Sequence, residues 1–504
     1  MAFDAARSSR KTQTPDVLVI GTGFAGLCMG IRLKQSGRED FVILERAGAI
    51  GGTWRDNDYP GCACDVQSHL YSFSFEPNPE WTRMFARQPE IRAYLEKCVD
   101  KYGLAPHIQL GREVVSARFD EASGRWQVRT RDGSRYSARV LVSGMGGLSN
   151  PAFPSIPGLE RFAGRAFHSA QWDHGYDLRG KRVAVIGTGA SAIQFVPQIQ
   201  KQVAQLDLYQ RTPPWILPKP DRLIGEGEQN LFRNLPLVQQ ALRTAIYWML
   251  ETRVLGFAVN PRLMNLLQTL AVRHIHKRVK DPVLRAKLTP DYTIGCKRVL
   301  ISNDYYPALT QPNVEVITTA IREIRPHSVV TTDGVERAVD CLIYGTGFKA
   351  QDPLPRGAIF GRGGQDILDA WKDGPEAYHG TTVAGFPNLF LLVGPNTGLG
   401  HSSMVFMIES QVNYVMSALD TLQARGYDRL EVRPEVQARY NQALQRRLTG
   451  AVWASGCKSW YVDANGRNTT LWPSFTFRFR QATRQLRFGD YRWEKTETAT
   501  AVTA

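Results

Sequence analysis

Short apolar runs that end in glycine-rich turns dominate the pattern of this chain. The run Asp16–Ile20 reads DVLVI and enters the turn Gly21–Gly26, after which the apolar residues of Leu27–Ser36 recur with the period of a helix. A brief, continuous apolar run before a turn is typical of a buried parallel strand. With the next apolar run at Phe41–Leu44, the order predicts a strand–helix–strand unit.

The same pattern occurs a second time. The run Lys181–Ile186 enters the turn Gly187-Thr-Gly189-Ala-Ser-Ala192, and a further strand is predicted over Leu206–Arg211. Both turns match the glycine pattern of a dinucleotide-binding unit, in which the N-terminus of a helix faces the pyrophosphate. The chain is therefore predicted to hold two dinucleotides.

Residues at matched distances from the two turns distinguish the dinucleotides. Glu45 stands 24 positions after Gly21, and Arg211 stands 24 positions after Gly187. An acid at this place suits a free ribose hydroxyl, whereas an arginine suits a 2′-phosphate, which it can bind with two parallel hydrogen bonds. The pattern indicates a flavoprotein that binds FAD and is reduced by NADPH. The alternative for Arg211 is a solvated surface arginine.

Between and after these units the pattern changes. Residues 114–142 show short alternating strands with hairpin turns, residues 150–157 form a proline-rich linker, and residues 221–290 are helical in period and basic. Near 340–348 another strand runs into glycines, which we interpret as the chain re-entering the first domain. The amphipathic stretches of 221–290 could touch a membrane surface or a partner, but packing on their own domain is the favoured interpretation.

The predicted fold class is α/β, with two Rossmann-like dinucleotide-binding domains, the second inserted in the first, and a helical insertion. The expected domains are residues 15–150 and 330–490 for FAD, 151–220 and 291–329 for NADPH, and 221–290 for the insertion. Segments 1–14 and 491–504 are expected to be disordered tails. The N-terminal one is polar and basic, which argues against a signal peptide.

Composition narrows the function classes. The 504 residues are 43% hydrophobic and 22% charged, as in an ordinary globular protein, and the net charge of +15 favours anionic ligands such as NADPH. The sequence shows no basic stripe or nucleic-acid-reading motif, so no nucleic-acid role is expected. The uncharged run 380–400 is broken by prolines and glycines, so no integral membrane segment is expected. These features imply a cytoplasmic enzyme with no evident protein partner.

Cysteine usage suggests no covalent framework. The seven cysteines are scattered, and an odd count at wide spacing does not indicate a set of disulfides. No Cys-x-x-Cys occurs, so neither a zinc ribbon nor a thioredoxin-like pair is expected, and no metal is predicted. Cys62 and Cys64 are interpreted as packing residues rather than as the redox pair of a disulfide reductase.

Three stretches carry a resemblance to a known family. The string Phe162-x-Gly164-x-x-x-His168-x-x-x-Trp172-Asp173 resembles the fingerprint of type I Baeyer–Villiger monooxygenases, and the stretches 51–65 (GGTWRDNDYPGCACD) and 295–298 (GCKR) agree with the same family. The resemblance covers about residues 15–490. Related flavin monooxygenases that oxidise nitrogen or sulfur often have Tyr-Lys where this chain has Trp172 and Asp173.

The resemblance implies a reaction and several residue roles. The family binds FAD, reduces it with NADPH and keeps NADP⁺ bound while O2 forms a C4a-peroxyflavin, which attacks a ketone carbonyl and yields an ester or lactone. Arg298 matches the active-site arginine, Asp65 matches the acid that pairs with it, and Lys297 matches a lysine that helps to hold the NADP 2′-phosphate. A fixed arginine cation would favour the deprotonated peroxide.

The other quoted residues are interpreted as cofactor contacts or as a hinge. His168, with Phe162, Gly164 and Trp172, is interpreted as part of a structural hinge between the domains rather than as a general base. Trp54 and Tyr71 match flavin-pocket residues but could equally be core residues. The positions expected at the two cofactors are, in chain order, Gly21, Gly23, Phe24, Gly26, Glu45, Thr53, Trp54, Asp65, Tyr71, Val114, Gly187, Thr188, Gly189, Ala190, Ser191, Arg211, Thr212 and Lys297.

One stretch departs from the family. Residues 457–473 lie where the family builds its substrate pocket and differ from the pattern of the best-known members, which leaves the substrate range open. Three alternatives to ketone oxidation remain: oxidation of sulfur or nitrogen centres, an uncoupled NADPH oxidase that makes hydrogen peroxide, and a non-catalytic flavin-binding redox sensor. The sequence does not indicate which ketone reacts or the oligomeric state.

Overall fold

The computed structural model describes residues 11–349, 355–457, 459–463 and 465–495. Within them the α-helices are α1 (Phe24–Gln35), α2 (Thr53–Asp56), α3 (Gln88–Lys101), α4 (Ala192–Ile199), α5 (Glu226–Asn234), α6 (Pro236–Glu251), α7 (Met264–Arg278), α8 (Pro282–Leu288), α9 (Tyr305–Leu309), α10 (Ile367–Ala370), α11 (Met404–Arg425), α12 (Pro434–Leu448) and α13 (Thr476–Ala482). The strands are β1 (Val17–Ile20), β2 (Phe41–Leu44), β3 (Ile108–Gln109), β4 (Val114–Asp120), β5 (Arg125–Thr130), β6 (Arg135–Ala138), β7 (Val140–Ser143), β8 (Arg165–His168), β9 (Arg182–Ile186), β10 (Gln205–Tyr209), β11 (Ile216–Leu217), β12 (Leu300–Ile301), β13 (Val314–Ile317), β14 (Ile321–Arg325), β15 (Ser328–Thr331), β16 (Glu336–Ala338), β17 (Cys341–Tyr344), β18 (Ile359–Phe360), β19 (Leu389–Leu391), β20 (Arg429–Val432) and β21 (Tyr491–Glu494).

A five-stranded parallel sheet forms the first nucleotide unit, in the order β19-β7-β1-β2-β3. Its central strand β1 pairs with β2 and with β7, so that Val17 lies between Phe41 and Val140. All four residues of β1 are buried, which explains the uninterrupted apolar run, because a parallel strand covered on both faces does not alternate. The helix α1 follows β1 and contacts both β2 and α11.

A second five-stranded parallel sheet has the order β13-β10-β9-β17-β8. Its strands lie between β7 and β19 in the sequence, so the second nucleotide unit is inserted into the first. One face of each sheet contributes to a shared core, which includes Val19 from β1 and Val185 from β9, while the opposite faces belong to two separate clusters. The predicted α/β class with two Rossmann-like units is confirmed.

The strand β17 corrects one domain boundary. It lies in the second sheet, between β9 and β8, and all four of its residues are buried. The expectation that 340–348 re-enters the first domain is therefore wrong, and the second unit continues past residue 330 through β17. The reason is a repeated arrangement: β7 runs into Gly144 beside Gly21, and β17 runs into Gly345 beside Gly187. The other domain boundaries stay predictions.

The predicted alternating strands form a separate four-stranded sheet, in the order β18-β4-β5-β6. The strands β4, β5 and β6 are successive antiparallel neighbours, and hairpin turns join them at Gly124 and Gly133, both of which have positive φ. Trp126 of β5 is fully buried, and its Nε1 donates to the carbonyl of Pro387 at 2.9 Å. This hydrogen bond connects the four-stranded sheet to the segment that immediately precedes β19.

The segment 221–290 is helical, as predicted, and contains α5 to α8. It packs on the first nucleotide unit through buried polar contacts: the Arg243 guanidinium donates to the carbonyl of His69 at 2.6 Å, and the Gln239 amide donates to the carbonyl of Asn78 at 2.7 Å. Packing on the protein itself is thus confirmed for one face of α6. Other side chains of the insertion remain exposed, among them Leu237 and Leu266.

The expectation of disordered tails is partly wrong. Residues 491–494 form β21, which pairs antiparallel with β20, and Gln13 exchanges backbone hydrogen bonds with Arg135 and Ser137 of β6 at 3.0 and 2.8 Å. Both segments were polar enough to resemble tails, but each completes the edge of a sheet. Residues 1–10 and 496–504 lie outside the described residues. Among the described helices, none is both long and apolar enough to cross a bilayer. The cytoplasmic location stays a prediction.

Candidate active site

The first phosphate loop connects β1 to α1 and requires its glycines. Gly21 has a φ of +96°, and a Cβ there would lie 2.8 Å from the carbonyl oxygen of Gly144. A Cβ on Gly26 would lie 1.8 Å from the carbonyl oxygen of Gly21, so the helix can approach the turn only without a side chain. The helix begins at Phe24 with no acidic residue in its first turn and no side chain that caps it. These features fit a pyrophosphate at the helix N-terminus.

Glu45, at the end of β2, lies beside this loop and is 4% exposed. One carboxylate oxygen accepts hydrogen bonds from the Thr22 amide at 3.0 Å and hydroxyl at 2.6 Å, and the other lies 2.8 Å from the Arg55 guanidinium. Burial would raise the pKa of Glu45, but bonds from Thr22 and Ala47 and the charge of Arg55 outweigh it and lower the pKa. The carboxylate is thus ionised and held in place, as a ribose ligand requires.

The second phosphate loop repeats this geometry after β9. Gly187 has a φ of +108°, and a Cβ there would lie 2.4 Å from the carbonyl oxygen of Gly345. The Thr188 hydroxyl donates to the carbonyl of Thr212 at 3.1 Å, which ties the loop to the segment after β10. Beyond Gly189 and Ala190, α4 begins with no acidic residue in its first turn and no cap from the Ser191 side chain. The loop fits a second pyrophosphate.

Two cations meet at the end of the second unit. Arg211 follows β10 and is exposed, and Lys297 comes to its vicinity from beyond the helical insertion. The Lys297 Nζ lies 4.6 Å from the ring centroid of Tyr292. Burial and then the charge of Arg211 lower the pKa of Lys297. Since like charges repel in the absence of an anion, the pair suits a ligand with a concentrated negative charge, such as a 2′-phosphate.

Arg298 and Asp65 form an ion pair that joins the two nucleotide units. The Arg298 Nε and one terminal nitrogen donate to Oδ2 of Asp65 at 3.1 and 2.6 Å, and the other terminal nitrogen lies 3.4 Å from the carbonyl oxygen of Leu399. The charge of Asp65 raises the pKa of Arg298 above its usual range. Burial would raise the pKa of Asp65, but the charge of Arg298 outweighs it and lowers the pKa. Both groups are therefore charged.

Aromatic side chains lie next to the first loop. The Trp54 Nε1, on the helix that begins at Thr53, donates to the Tyr71 hydroxyl at 3.1 Å, and the Phe24 and Tyr71 ring centroids are 5.1 Å apart. Trp54 is buried, and burial raises the pKa of Tyr71. Trp54 belongs to the buried core and Tyr71 is half-buried against it, so a role at the flavin stays a prediction for both. Val114 begins β4 and packs beside the cluster that contains Leu44.

The loop after β19 completes the surroundings of Arg298. Asn396, in the left-handed region with a φ of +56°, donates through its side-chain amide to the carbonyls of Asn468 at 2.8 Å and Leu471 at 3.1 Å. Tyr461 belongs to the same C-terminal segment, is 1% exposed, and is close enough to Arg298 for that charge to oppose the rise that burial causes in its pKa. Tyr461 was not among the predicted site residues, although it lies in the segment 457–473, where the family builds its substrate pocket.

The structure overturns the expectation about cysteines at one place. Cys296 and Cys457 form a disulfide with a Cα–Cα distance of 6.2 Å, although 161 positions separate them. The sequence could not indicate this pair, because only the fold brings the two segments together. Cys62 and Cys64 are free and buried, and burial raises the pKa of Cys62 to about 12. They are therefore neutral thiols, as the packing interpretation predicted.

The fingerprint string lies at the edge of the second sheet. His168 ends β8, is fully buried, and accepts a hydrogen bond from the Ala170 amide at 3.1 Å through Nδ1. Burial lowers its pKa, so the ring is neutral and suited to a structural role rather than to a general base. Gly164 leaves no room for a side chain beside Phe162 and the Asp340 carbonyl, and Trp172 packs on Phe195 with ring centroids 5.3 Å apart.

Two phosphate loops, a cationic site beside the second, and an ion pair that links the units define a flavoprotein with two dinucleotide sites. A family model described as flavin-binding monooxygenase-like matches residues 14–360. The chain belongs to this family.

Individual relatives show which kind of monooxygenase this chain is similar to. A Baeyer–Villiger monooxygenase of Pseudomonas aeruginosa is 62% identical over 472 residues, which cover 93% of this chain and 90% of the relative. A solved steroid monooxygenase bound to NADP is 31% identical with a TM-score of 0.85, and an OTEMO complex with FAD and NADP is 27% identical with the same TM-score. Both alignments cover 96% of this chain and 100% of the other. The predicted resemblance is confirmed.

Proposed function

We propose that the protein is an FAD- and NADPH-dependent Baeyer–Villiger monooxygenase that uses O2 to insert one oxygen atom next to a ketone carbonyl, giving an ester or lactone. The observation that carries the proposal is the Arg298–Asp65 ion pair, whose members come from the two nucleotide units and meet at 2.6 Å. The similarity to Baeyer–Villiger monooxygenases over nearly the whole chain supports the same reaction class.

The residues present fit both cofactors. The Gly21–Gly26 loop and Glu45 would hold FAD, and the Gly187–Ala192 loop with Arg211 and Lys297 would hold NADPH. When bound, the flavin reduced by NADPH supplies the oxygen-activating chemistry. The protein supplies the position and the charge around it.

Arg298 provides a fixed positive charge for the oxygen-transfer step. Arginine keeps its proton at any working pH, and the neighbouring carboxylate raises its pKa further. Both hydrogen bonds to Asp65 go to one of its oxygens, while the remaining terminal nitrogen donates to the Leu399 carbonyl at the longer distance of 3.4 Å. That nitrogen can donate to a negatively charged oxygen, which a preorganised cation stabilises without reorganisation.

Asp65 is the positioning residue for this charge. It touches Arg298 through two hydrogen bonds and holds the guanidinium plane in one orientation. Lys297 precedes Arg298 directly, so the proposed 2′-phosphate site and the proposed oxygen-transfer site use consecutive residues. Occupation of the phosphate site therefore helps to fix the segment that carries Arg298.

A ketone panel with product analysis tests the proposal. The purified protein, loaded with FAD, is incubated with NADPH, O2 and linear, cyclic or aryl ketones. We expect ester or lactone in amounts that match the NADPH consumed. Efficient sulfide oxidation without any ester would contradict the ketone assignment, and hydrogen peroxide in place of every oxygenated product would indicate an oxidase.

A further inference from the structure

The disulfide between Cys296 and Cys457 lies at the candidate active site. Cys296 comes two positions before Arg298, and Cys457 begins the segment 457–473 that differs from well-known relatives. Nothing in the proposed reaction uses this bond. Its position nevertheless connects the arginine segment covalently to the chain that leads to Tyr461.

The far end of the segment 457–473 is held without covalent bonds. The Gly398 amide donates to the carbonyl of Thr470 at 2.8 Å, and the Trp472 amide donates to the carbonyl of Gly398 at 2.9 Å. Tyr461 lies in the sequence between these two backbone hydrogen bonds and the disulfide, and it is buried beside Arg298. One end of the segment is therefore fixed to the loop after β19, and the disulfide fixes the other end to the arginine segment.

The two sulfurs have different surroundings. Cys296 is 1% exposed, whereas Cys457 is half-buried and follows the exposed residues 454–456. A soluble thiol can therefore approach the Cys457 sulfur from the solvent side. The other cysteines of the described residues, Cys28, Cys62, Cys64, Cys98 and Cys341, are buried and free, so this pair is where reversible oxidation is expected.

We propose that Cys296 and Cys457 form a reversible redox site, which clamps the chain around Tyr461 beside Arg298 when oxidised and releases it when reduced. In the oxidising direction the two thiols give two electrons and two protons to hydrogen peroxide, which becomes two waters as the S–S bond forms. In the reducing direction a dithiol attacks the Cys457 sulfur, the Cys296 thiolate leaves and is protonated, and the second thiol of the reductant resolves the mixed disulfide and departs oxidised.

The consequence for Arg298 rests on the proposed function, but the bond and the clamp do not. The oxidised clamp limits the movement of Tyr461 beside Arg298, because both ends of its segment are fixed. Reduction frees one end and enlarges the range of positions open to Tyr461. The site is thus a control on access to the candidate active site.

The test begins with the FAD-loaded protein, treated either with hydrogen peroxide or with dithiothreitol. After removal of the reagent, denaturation and alkylation, thiols are counted and peptides are mapped without reduction. We expect five thiols and a peptide linking Cys296 to Cys457 after oxidation, and seven thiols after reduction in the native state. Seven thiols after oxidation, or a bond that dithiothreitol reduces only after denaturation, would overturn a reversible site.

Limited proteolysis then tests the clamp. Trypsin is expected to cut within 457–473 about tenfold faster in the reduced protein, because local opening exposes the backbone. Cys457→Ser should behave like the reduced protein under both treatments, and it is a small change at a half-buried position. Cys341→Ala is the matched control: it removes a free thiol in β17 and should keep the full oxidised–reduced difference.

Equal cleavage of the oxidised and reduced protein would refute the clamp even if the disulfide forms. None of these readouts depends on ketone oxidation. A protein that makes no ester but shows the redox-dependent cleavage would refute the proposed function and leave the redox site standing. A protein that makes ester but shows no redox-dependent cleavage would refute the clamp and leave the proposed function standing. The two failures are therefore distinguishable.

Discussion

Replacing Asp65 by Asn should uncouple flavin reduction from oxygen transfer. The substitution keeps the size of the side chain and one acceptor oxygen, but removes the charge that holds Arg298 through bonds of 3.1 and 2.6 Å. The phosphate loops and the cationic site of Arg211 and Lys297 are left intact. The predicted effect is therefore confined to the step in which the guanidinium must be correctly oriented.

The geometry of the pair sets the magnitude. Each side chain is 32% exposed, so the pair belongs between a surface ion pair and a buried one. A hydrogen bond to a charged group contributes about 1.5–3 kcal/mol, and partial exposure places this pair near the lower part of that range. A loss of about 2 kcal/mol corresponds to a rate about 30-fold lower if the whole of it appears in the oxygen-transfer step.

Two measurements on the same protein separate the steps. Anaerobic mixing with NADPH, followed by flavin absorbance, gives the rate of reduction, which we expect to stay within about twofold of the original. Ester formation in air should fall about 30-fold in Asp65→Asn and further in Arg298→Ala, where the cation itself is missing. In Arg298→Ala, adding Asp65→Asn should cause little further loss, because the second residue acts through the first.

Full ester formation in Asp65→Asn would refute the positioning role of the carboxylate. An equal decrease in flavin reduction and in ester formation would also contradict it, since it would place the pair in NADPH binding instead. Arg298→Lys is the control for charge alone: it keeps the cation but not the fork of donors, so activity between those of the original and Arg298→Ala is expected.

Three further perturbations test the cofactor sites. Arg211→Ala should raise the NADPH concentration needed for half-maximal flavin reduction about 30-fold and leave the NADH value unchanged, and an equal effect on both would remove Arg211 from the 2′-phosphate site. Gly26→Ala should abolish FAD binding, which visible absorbance measures. Gly23→Ala should still fold, because a Cβ there would be 3.8 Å from its nearest neighbour, and circular dichroism measures this outcome. Glu45→Gln should lower the free energy of unfolding at pH 7 by about 1–3 kcal/mol. Folding lowers the pKa of Glu45, so its carboxylate stabilises the protein at pH values above its pKa in the unfolded chain. This stabilisation is lost as the pH falls through the pKa of Glu45 in the folded protein. Urea unfolding near pH 3 should therefore show a smaller stability difference between Glu45→Gln and the original protein.

The local pattern of the sequence predicted the two phosphate loops, because glycine, strand and helix lie within one short stretch at each. The same logic could have placed β17. The segment Val140–Gly144 reads VLVSG and Cys341–Gly345 reads CLIYG, and each leads the chain to the carbonyl that crowds a loop glycine. The similarity of the two strands therefore indicates that the second unit continues through β17.

Contacts between distant segments could not be predicted from local pattern. Asp65 and Arg298 are 233 positions apart, and Cys296 and Cys457 are 161 apart, so nothing in the neighbourhood of either residue indicates its partner. The ion pair was expected only because the chain resembles a known family, and the disulfide was not expected at all. Such pairs depend on topology, which the order of the strands determines.

The turn at Gly295 is followed by three consecutive residues that make different contacts. Cys296, Lys297 and Arg298 follow Gly295, which has a φ of +93° and whose Cβ would lie 2.7 Å from the Met264 side chain. The turn thus packs against the helical insertion, and the next three residues form the disulfide, approach Arg211 and bind Asp65. Because the residues are consecutive, a movement of the insertion, an anion beside Lys297 or reduction of the disulfide each acts on the same short backbone. The helical insertion therefore contributes to the site by fixing this turn, although none of the predicted site residues lies within it.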